Sequence, residues 1–355
     1  MSDTSTRKKR PKVADAIPTT AEISRIAGVS KSTVSRALKK DPSISAETSR
    51  RIFSIAMSLG YMPNAIARGL STSRSGIIGF VTSEAEHYYY QEHLQHLGRL
   101  ASQRGKQLML FQIAAGGDMS DVVPALVQYR LDGCILIATA PVSNAAIETC
   151  SRYRIPIVVL NRILAEAAVS SVLCDHFTAT RDAAQLLIEA GHEHIAYVAG
   201  RSSNPVGQIR EDGFMSGLAA AKRKMHVRLE EAFSFEGGFE AGRKLLSMKV
   251  PPDAVFVAND LMAFGLIEAA REMGAKVPED ISVIGFDDSK MGAWSSFKLT
   301  TYAQPIDQMF NRALDLILSY DHTSNYVPET IYIRAQLMVR ESARLPKRIA
   351  AKSNA

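Results

Sequence analysis

The spacing of hydrophobic positions changes once along the chain. Between residues 19 and 59 they recur three and four apart, the period of a helix face. Ile23, Ile26 and Ala27 form one stripe, and Gly28 follows it as a tight turn requires. Val34, Ala37 and Leu38 form a second stripe behind Ser30, and Ile52, Ile55, Ala56 and Leu59 a third behind Ser45. Serine at those two places caps a helix, its hydroxyl accepting from first-turn N–H groups, while Gly60 stops the third helix. Thr19 with Glu22 reads as a capping box. Three short helices are therefore expected. From Gly76 the pattern becomes short, unbroken apolar runs: Ile77–Val81, Gln107–Phe111, Cys134–Ile137, Ile157–Leu160, Ile195–Val198, Val255–Val257 and Ile281–Phe286. Helical stretches separate them, among them Gln91–Gln103, Thr178–Ala190, Gln208–Lys224, Gly238–Met248 and Leu261–Met273. Strands apolar on both faces, alternating with helices, predict an α/β core of parallel sheets covered on both sides. The stretch is long for one sheet, so two lobes are expected.

Composition changes this picture little. With 355 residues, 46% hydrophobic and 22% charged, the chain can bury a core without staples. Cys134, Cys150 and Cys174 make no disulfide framework and no metal-ligand spacing, which favours a reducing compartment; cytoplasmic location is expected. No apolar run approaches the roughly 20 residues of a membrane span. No metal site and no cofactor are called for. Charge is more informative. Residues 1–75 hold 14 Lys/Arg against 5 Asp/Glu, whereas the remainder is slightly acidic, with 28 against 31. A polyanion partner is therefore expected at the N-terminal end. Residues 1–17, with Arg7-Lys8-Lys9-Arg10-Pro11-Lys12, read as a disordered basic arm. Residues 63–75 read as a hinge helix of about two turns and a linker, capped by Asn64 and marginal unless something packs on it.

The helix, glycine turn and second helix at 19–38 have the dimensions of a DNA-reading helix-turn-helix. The second helix opens with Ser30-Lys31-Ser32-Thr33, short or donor-bearing groups that can meet base edges and phosphates in the major groove. Arg36 lies one turn beyond Ser32 and suits guanine.

Thr19-Thr-Ala-Glu-Ile-Ser-Arg-Ile-Ala-Gly-Val-Ser-Lys-Ser-Thr-Val-Ser-Arg36 and Gly60-Tyr-Met-Pro-Asn-Ala-Ile-Ala-Arg-Gly-Leu70 resemble the headpiece and hinge of the LacI/GalR family. Further motifs resemble that family's regulatory domain in order and spacing: Gly191-His192, Val257-Ala-Asn-Asp260, Val277-Pro278, Ser282-Val-Ile-Gly-Phe-Asp-Asp288 and Leu299-Thr-Thr-Tyr-Ala-Gln-Pro305. The resemblance implies an all-α headpiece at 18–62 and a periplasmic-binding-protein-like effector-binding and dimerisation core at 76–341, followed by a tail at 342–355. Lobe one is expected at about 76–174 and 303–332, and lobe two at about 175–302 and 333–341. The implied DNA contacts are Thr19, Ser30, Lys31, Ser32, Thr33, Arg36, Asn64, Arg68 and Leu70, with Leu70 as the wedge that parts base steps in the minor groove.

The effector is expected in the cleft beyond the carboxyl ends of the strands. Family motif order maps its ligand positions onto Asn161, Arg210, Asn259 and Asp287. The Asp287 carboxylate can accept two hydroxyl hydrogen bonds from a sugar, and the Arg210 fork can grip vicinal oxygens. Tyr88, Tyr89 and Tyr90 follow the first strand, where the family often carries an aromatic at the cleft mouth; Phe233 is a further aromatic candidate. Asp260 and Asp288 read as N-caps, and His192 and His194 as structural residues. The chain lacks the GxGxxG, Walker A, GxSxG and HExxH patterns, which argues against an enzyme. The expected protein is a homodimeric, sequence-specific regulator, in the first instance a repressor, that binds double-stranded operator DNA and a small sugar-like effector and no membrane. The alternative is a sugar-binding protein without DNA function. Nothing after Leu345 offers a heptad seam, so assembly beyond a dimer is not expected.

Overall fold

The computed structural model describes residues 18–39, 41–62, 74–83, 88–114, 116–137, 140–164, 169–201, 205–320 and 327–350, with the backbone alone for 88–92 and 350. The basic arm and the hinge residues Asn64, Arg68 and Leu70 lie outside the described residues. The chain divides into two compact units, residues 1–73 and 74–355.

In the first unit, α1 (Thr20–Ala27), α2 (Lys31–Leu38) and α3 (Ala46–Ser58) enclose a small core. Ile23, Val34, Ala37 and Ile52 are fully buried in it, flanked by Ala27 and Ala56. The turn is made by Gly28 at φ 63°, whose N–H bonds the Ser24 carbonyl, and is held by the Ser24 hydroxyl donating to the Val29 carbonyl at 2.5 Å. Two expectations are corrected. Ile26 is 47% exposed and outside the core. Thr19 accepts from the Glu22 N–H, but the return bond that completes a capping box does not form among the described residues.

The second unit holds two six-stranded sheets. The first contains β1 (Ile77–Ser83), β2 (Gln107–Ile113), β3 (Gly133–Leu136), β4 (Ile157–Leu160), β5 (Ser170–Asp175) and β11 (Thr330–Arg334), in the order β11-β5-β4-β3-β1-β2. The second contains β6 (Ile195–Ala199), β7 (Val227–Glu230), β8 (Ala254–Val257), β9 (Ser282–Asp287), β10 (Thr300–Ala303) and β12 (Gln336–Met338), in the order β12-β10-β9-β8-β6-β7. Both repeat the 2-1-3-4-5 order of a doubly wound sheet. All pairings are parallel except β10 with β12. Central strands such as β3, β4, β6 and β8 are buried at every position, which is why they read as continuous apolar runs. Edge strands β7 and β11 alternate half-buried with exposed residues.

The helices are α4 (Tyr88–Gln103), α5 (Val123–Gln128), α6 (Asn144–Arg152), α7 (His176–Glu189), α8 (Pro205–Ala220), α9 (Phe235–Leu246), α10 (Asp260–Glu272), α11 (Ile306–Leu318) and α12 (Lys347–Ala350). The chain passes between the sheets at Asp175–His176, after Ala303 and at Ala335. The last crossing falls after Arg334, two residues beyond the expected boundary at 332. Helix α8 lies close on α7 because Gly213 and Gly217 face it. A Cβ on Gly213 would sit 2.3 Å from the Phe177 carbonyl oxygen. That approach brings Arg210 of α8 to His176 at the start of α7.

Candidate functional site

In α2 the buried Val34 and Ala37 point inward and leave Lys31, Ser32, Ser35 and Arg36 exposed on the opposite side. The helix is capped by Ser30, whose Oγ accepts from the Thr33 N–H at 3.1 Å. The same hydroxyl lies 2.7 Å from Ser32 Oγ and 2.8 Å from Thr33 Oγ1. The three hydroxyls thus hold one another at the N-terminus, where the helix dipole favours an anion such as a phosphate.

In the second unit the carboxyl ends of the two sheets are joined by a chain of hydrogen bonds. Asn161 follows β4 at φ 57°, and its Oδ1 accepts from the Cys174 N–H at 2.9 Å. The backbone bond fixes the amide, so Asn161 Nδ2 faces and donates to Gln304 Oε1 at 2.9 Å. Gln304 then presents its NH2 to Asp287 Oδ1 at 2.8 Å. Arg210 Nη2 donates to the same oxygen at 3.3 Å. A β4 end in one sheet is thereby tied to a β9 end in the other. Asp287 and Asp288, like Asn161, adopt positive φ, at 130° and 57°. Non-glycine residues seldom do so, and three together mark a site whose surroundings hold the backbone in place.

Arg210 is 5% exposed. Its Nη1 donates to the Ala258 carbonyl at 2.5 Å, its Nε to His176 Nδ1 at 3.3 Å, and its guanidinium lies 3.9 Å over the Phe286 ring. Donation to Nδ1 places the His176 proton on Nε2, an N–H that is buried and has no hydrogen-bond partner among the described residues. Burial first, and the Arg210 charge second, hold the imidazole well below its ordinary pKa, so it is neutral. The cluster offers one buried cation, one carboxylate, two amides and a neutral imidazole. That set can donate to and accept from hydroxyls and ring oxygens through directional bonds. Among the described residues no group of three His, Cys, Asp or Glu side chains could hold a metal ion.

Asp260 lies beneath this cluster. Thr301 Oγ1 donates to its Oδ1 at 2.5 Å and the Ser289 N–H to its Oδ2 at 2.8 Å. Burial and the neighbouring Asp287 charge push its pKa up to about 7. The folded chain therefore holds this proton more tightly than the unfolded chain. The stabilisation is present in full below about pH 4 and is lost as the pH rises through about 7. Denaturant midpoints at pH 5 and pH 8 are expected to differ more in the parent protein than in Asp260→Asn, which removes this titration.

Residues 19–64 match the family described as bacterial regulatory proteins, lacI family, and residues 184–343 match the periplasmic binding protein-like domain. The probable HTH-type transcriptional repressor ExuR of Bacillus subtilis (strain 168) is 30% identical to this chain over 336 residues, which cover 92% of this chain and 98% of ExuR. The chain belongs to the LacI family. Among solved structures, the lac repressor dimer bound to operator and the anti-inducer ONPF matches with a TM-score of 0.80 and 25% identity, covering 92% of this chain and 99% of the other. The complex of the transcriptional regulator CelR with cellobiose matches with a TM-score of 0.67 and 29% identity, covering 92% and 100%.

This LacI-family chain brings Asn161, Arg210 and Asp287 into one connected cluster, as placed above. Asn259 lies nearby but its Oδ1 caps α10, accepting from the Met262 N–H at 3.0 Å. Asn259 rather than Asp260 is therefore the N-cap; it has the extended backbone a cap requires, and Asp260 is the first helical residue. Asp288 likewise is no cap: Ser289 holds that position before the turn Lys290–Ala293, and Asp288 instead accepts from Arg340 Nη2 at 2.6 Å. His192 is buried, with Nε2 3.3 Å from the Arg344 carbonyl, a structural position. Phe233 is half-buried with its ring against Gly200, the residue after β6; a Cβ there would fall 1.9 Å from the ring. Tyr88, Tyr89 and Tyr90 form the first turn of α4, and their side chains lie outside what is described. Sequence reasoning passed over Gln304, His176 and Phe286. Gln304 had one signal, a polar residue between the end of a strand and Pro305.

Proposed function

We propose that this LacI-family regulator is an operator-binding transcriptional repressor whose affinity for DNA is set by a sugar or sugar derivative held between its two sheets. The observation that carries the reading is the Asn161–Gln304–Asp287–Arg210 chain of hydrogen bonds. It ties strand ends of both sheets together with groups that recognise hydroxyls, so a ligand that replaces Gln304 as partner to Asn161 and Asp287 exchanges one bridge between the lobes for another. The similar lac repressor dimer is bound to operator and the similar regulator CelR to cellobiose, which supports the same two kinds of partner. The protein acts as a cytoplasmic homodimer joined through its core, each protomer presenting the Lys31–Arg36 face of α2 to one major groove. Asn161, Asn259, Arg210 and Asp287 hold the effector, with Phe233 at the edge; Ser30, Lys31, Ser32, Thr33 and Arg36, together with the hinge residues Asn64, Arg68 and Leu70, hold DNA. The headpiece at 18–62, the hinge at 63–75 and the core at 76–341 are the working parts.

The test is an electrophoretic shift on promoter fragments, repeated with a panel of mono- and disaccharides, uronic acids and nucleosides. A fragment-specific shift that a sugar changes by about 5- to 150-fold is expected, the ordinary range of allosteric coupling. A protein that binds a sugar tightly and shifts no fragment would leave the alternative, a sugar-binding protein without DNA function.

A further inference from the structure

A cavity of about 390 Å³ lies at the pivot between the two sheets. It touches all three segments that join them: Asp175 where β5 enters α7, Tyr302 near the end of β10, and Arg334, Ala335 and Leu337 where β11 passes into β12. One wall is α7, with Asp182 and Leu186, and Ile349 of α12 closes another.

Most charges around it are already satisfied. Asp175 Oδ1 accepts from the Thr178 N–H at 3.1 Å, Asp182 is bonded to Arg181 at 3.1 Å, and Arg348 donates to Glu189 at 3.0 Å. Two donors are not. Tyr302 is only 4% exposed, lines the cavity, and its hydroxyl makes no hydrogen bond to another described residue. The ring is buried but the hydroxyl is not sealed off, so it opens onto the cavity and is placed to bond whatever enters. Burial and the Asp182 carboxylate keep its proton on, so it enters as a donor. Arg334, on edge strand β11, has no hydrogen bond or ion pair to another described residue. Leu186, Leu337 and Ile349 give the cavity an apolar face, and Thr178 and Gln185 of α7 add polar lining.

We propose that the pivot cavity is a second small-molecule site, which takes a short organic acid carrying a hydrogen-bond donor beside its carboxylate. The carboxylate accepts from Arg334 and Tyr302, and the neighbouring ammonium or hydroxyl donates to the spare lone pairs of Asp175 and Asp182. A short aliphatic body rests on the three apolar side chains. Amino acids and hydroxy acids share this chemistry. Arg334 belongs to one sheet and Tyr302 to the other, so the bound acid spans the pivot and its affinity depends on the angle between lobes. By linkage it then changes affinity at the Arg210 cluster and for DNA. The site does not rest on the sugar reading.

Titration calorimetry on the full chain tests it, with valine, leucine, lactate and glycerate as probes at up to millimolar concentration; the first pair against the second distinguishes the two sources. At least one probe is expected to bind saturably. Binding should weaken about tenfold or more in Tyr302→Phe and in Arg334→Gln, the loss of one charge-assisted or buried bond each. Tyr302→Phe should also melt with the parent protein, since its hydroxyl has no bond to lose. No binding by any of the four acids, binding untouched by both pivot variants, or a lowered melting temperature in Tyr302→Phe would each overturn the proposal.

Discussion

Arg210→Ala is expected to abolish the effector response and also to cost about 3–5 kcal/mol of stability, because it leaves the Asp287 carboxylate buried without its cation. From its distance from the headpiece in the sequence alone, operator binding without effector would be expected to stay nearly intact. The structure changes that expectation. The side chain is 5% exposed, and it holds the Ala258 carbonyl, Asp287 and His176 while stacking on Phe286. A loss of that size is a large share of the 5–15 kcal/mol of a typical domain. Arg210→Lys separates the two roles. Lysine keeps the charge beside Asp287, so the variant should fold. One ammonium cannot reach the Ala258 carbonyl and His176 Nδ1 as a planar fork does, and it cannot stack as guanidinium does. Effector affinity should therefore fall by about tenfold or more, roughly 1.4 kcal/mol. Operator affinity without effector should stay within about threefold, below the usual threshold of an allosteric coupling. The pair of measurements is effector binding by calorimetry and operator binding by titrated gel shift. A folded Arg210→Lys protein with normal effector affinity would make Arg210 a structural residue alone.

The difference between those two expectations shows what the sequence makes legible. Strands at the centre of each sheet, such as Ile157–Leu160 and Ala254–Val257, are buried on both faces and stand out as apolar runs. Edge strands are short and half wet, so Val227–Glu230 and Thr330–Arg334 carry no such signal, and tertiary pairing decides them. Caps are legible to within a residue. In Val257-Ala-Asn-Asp260 both polar residues suit an N-cap, and only the backbone, extended at Asn259, settles which one serves. At the site, Asn161, Arg210 and Asp287 were visible because the family resemblance maps ligand positions onto them, and Asn161 and Asp287 also stand at strand ends. Gln304 and His176 were not: Gln304 lies in the connector between β10 and α11, and His176, although it opens the buried face of α7 with Ala179, Thr180 and Ala183, precedes the stretch that reads as helix from Thr178. Their importance comes from contacts made across 143 and 34 residues of sequence.

The cluster between the sheets also fixes what kind of ligand effect is available. Gln304 is the element common to both sides: its oxygen serves Asn161 and its NH2 serves Asp287. It stands on the segment that carries the chain from β10 to α11, one of the three that any change of lobe angle must bend. A ligand that competes for either partner therefore acts on the crossover directly. Such a device needs no long relay within the core, only two arrangements of one glutamine.

Arg36→Ala is expected to weaken operator binding by about 1–3 kcal/mol, roughly 5- to 150-fold, and to relax base preference at one position of each half-site. Its guanidinium is exposed on α2 and makes no side-chain hydrogen bond to another described residue, so the folded headpiece has little to lose. Stability should change by no more than about 0.5 kcal/mol, as for most surface substitutions. The buried neighbours Val34 and Ala37 fix the helix from beneath, and the Ser30 hydroxyl fixes its first turn. Arg36 is thereby presented on a rigid support, and a bidentate contact to guanine is worth most when no side-chain ordering elsewhere must accompany it. Lys31→Ala provides the contrast. Lysine is a point charge at the helix start, and if it meets phosphate its loss should weaken all sequences alike and lower the salt dependence by about one counterion. The measurement is binding to an operator and to its single-base variants at two salt concentrations. Equal weakening across the variants for Arg36→Ala would place Arg36 on the phosphate backbone and leave base recognition to Ser32 and its neighbours.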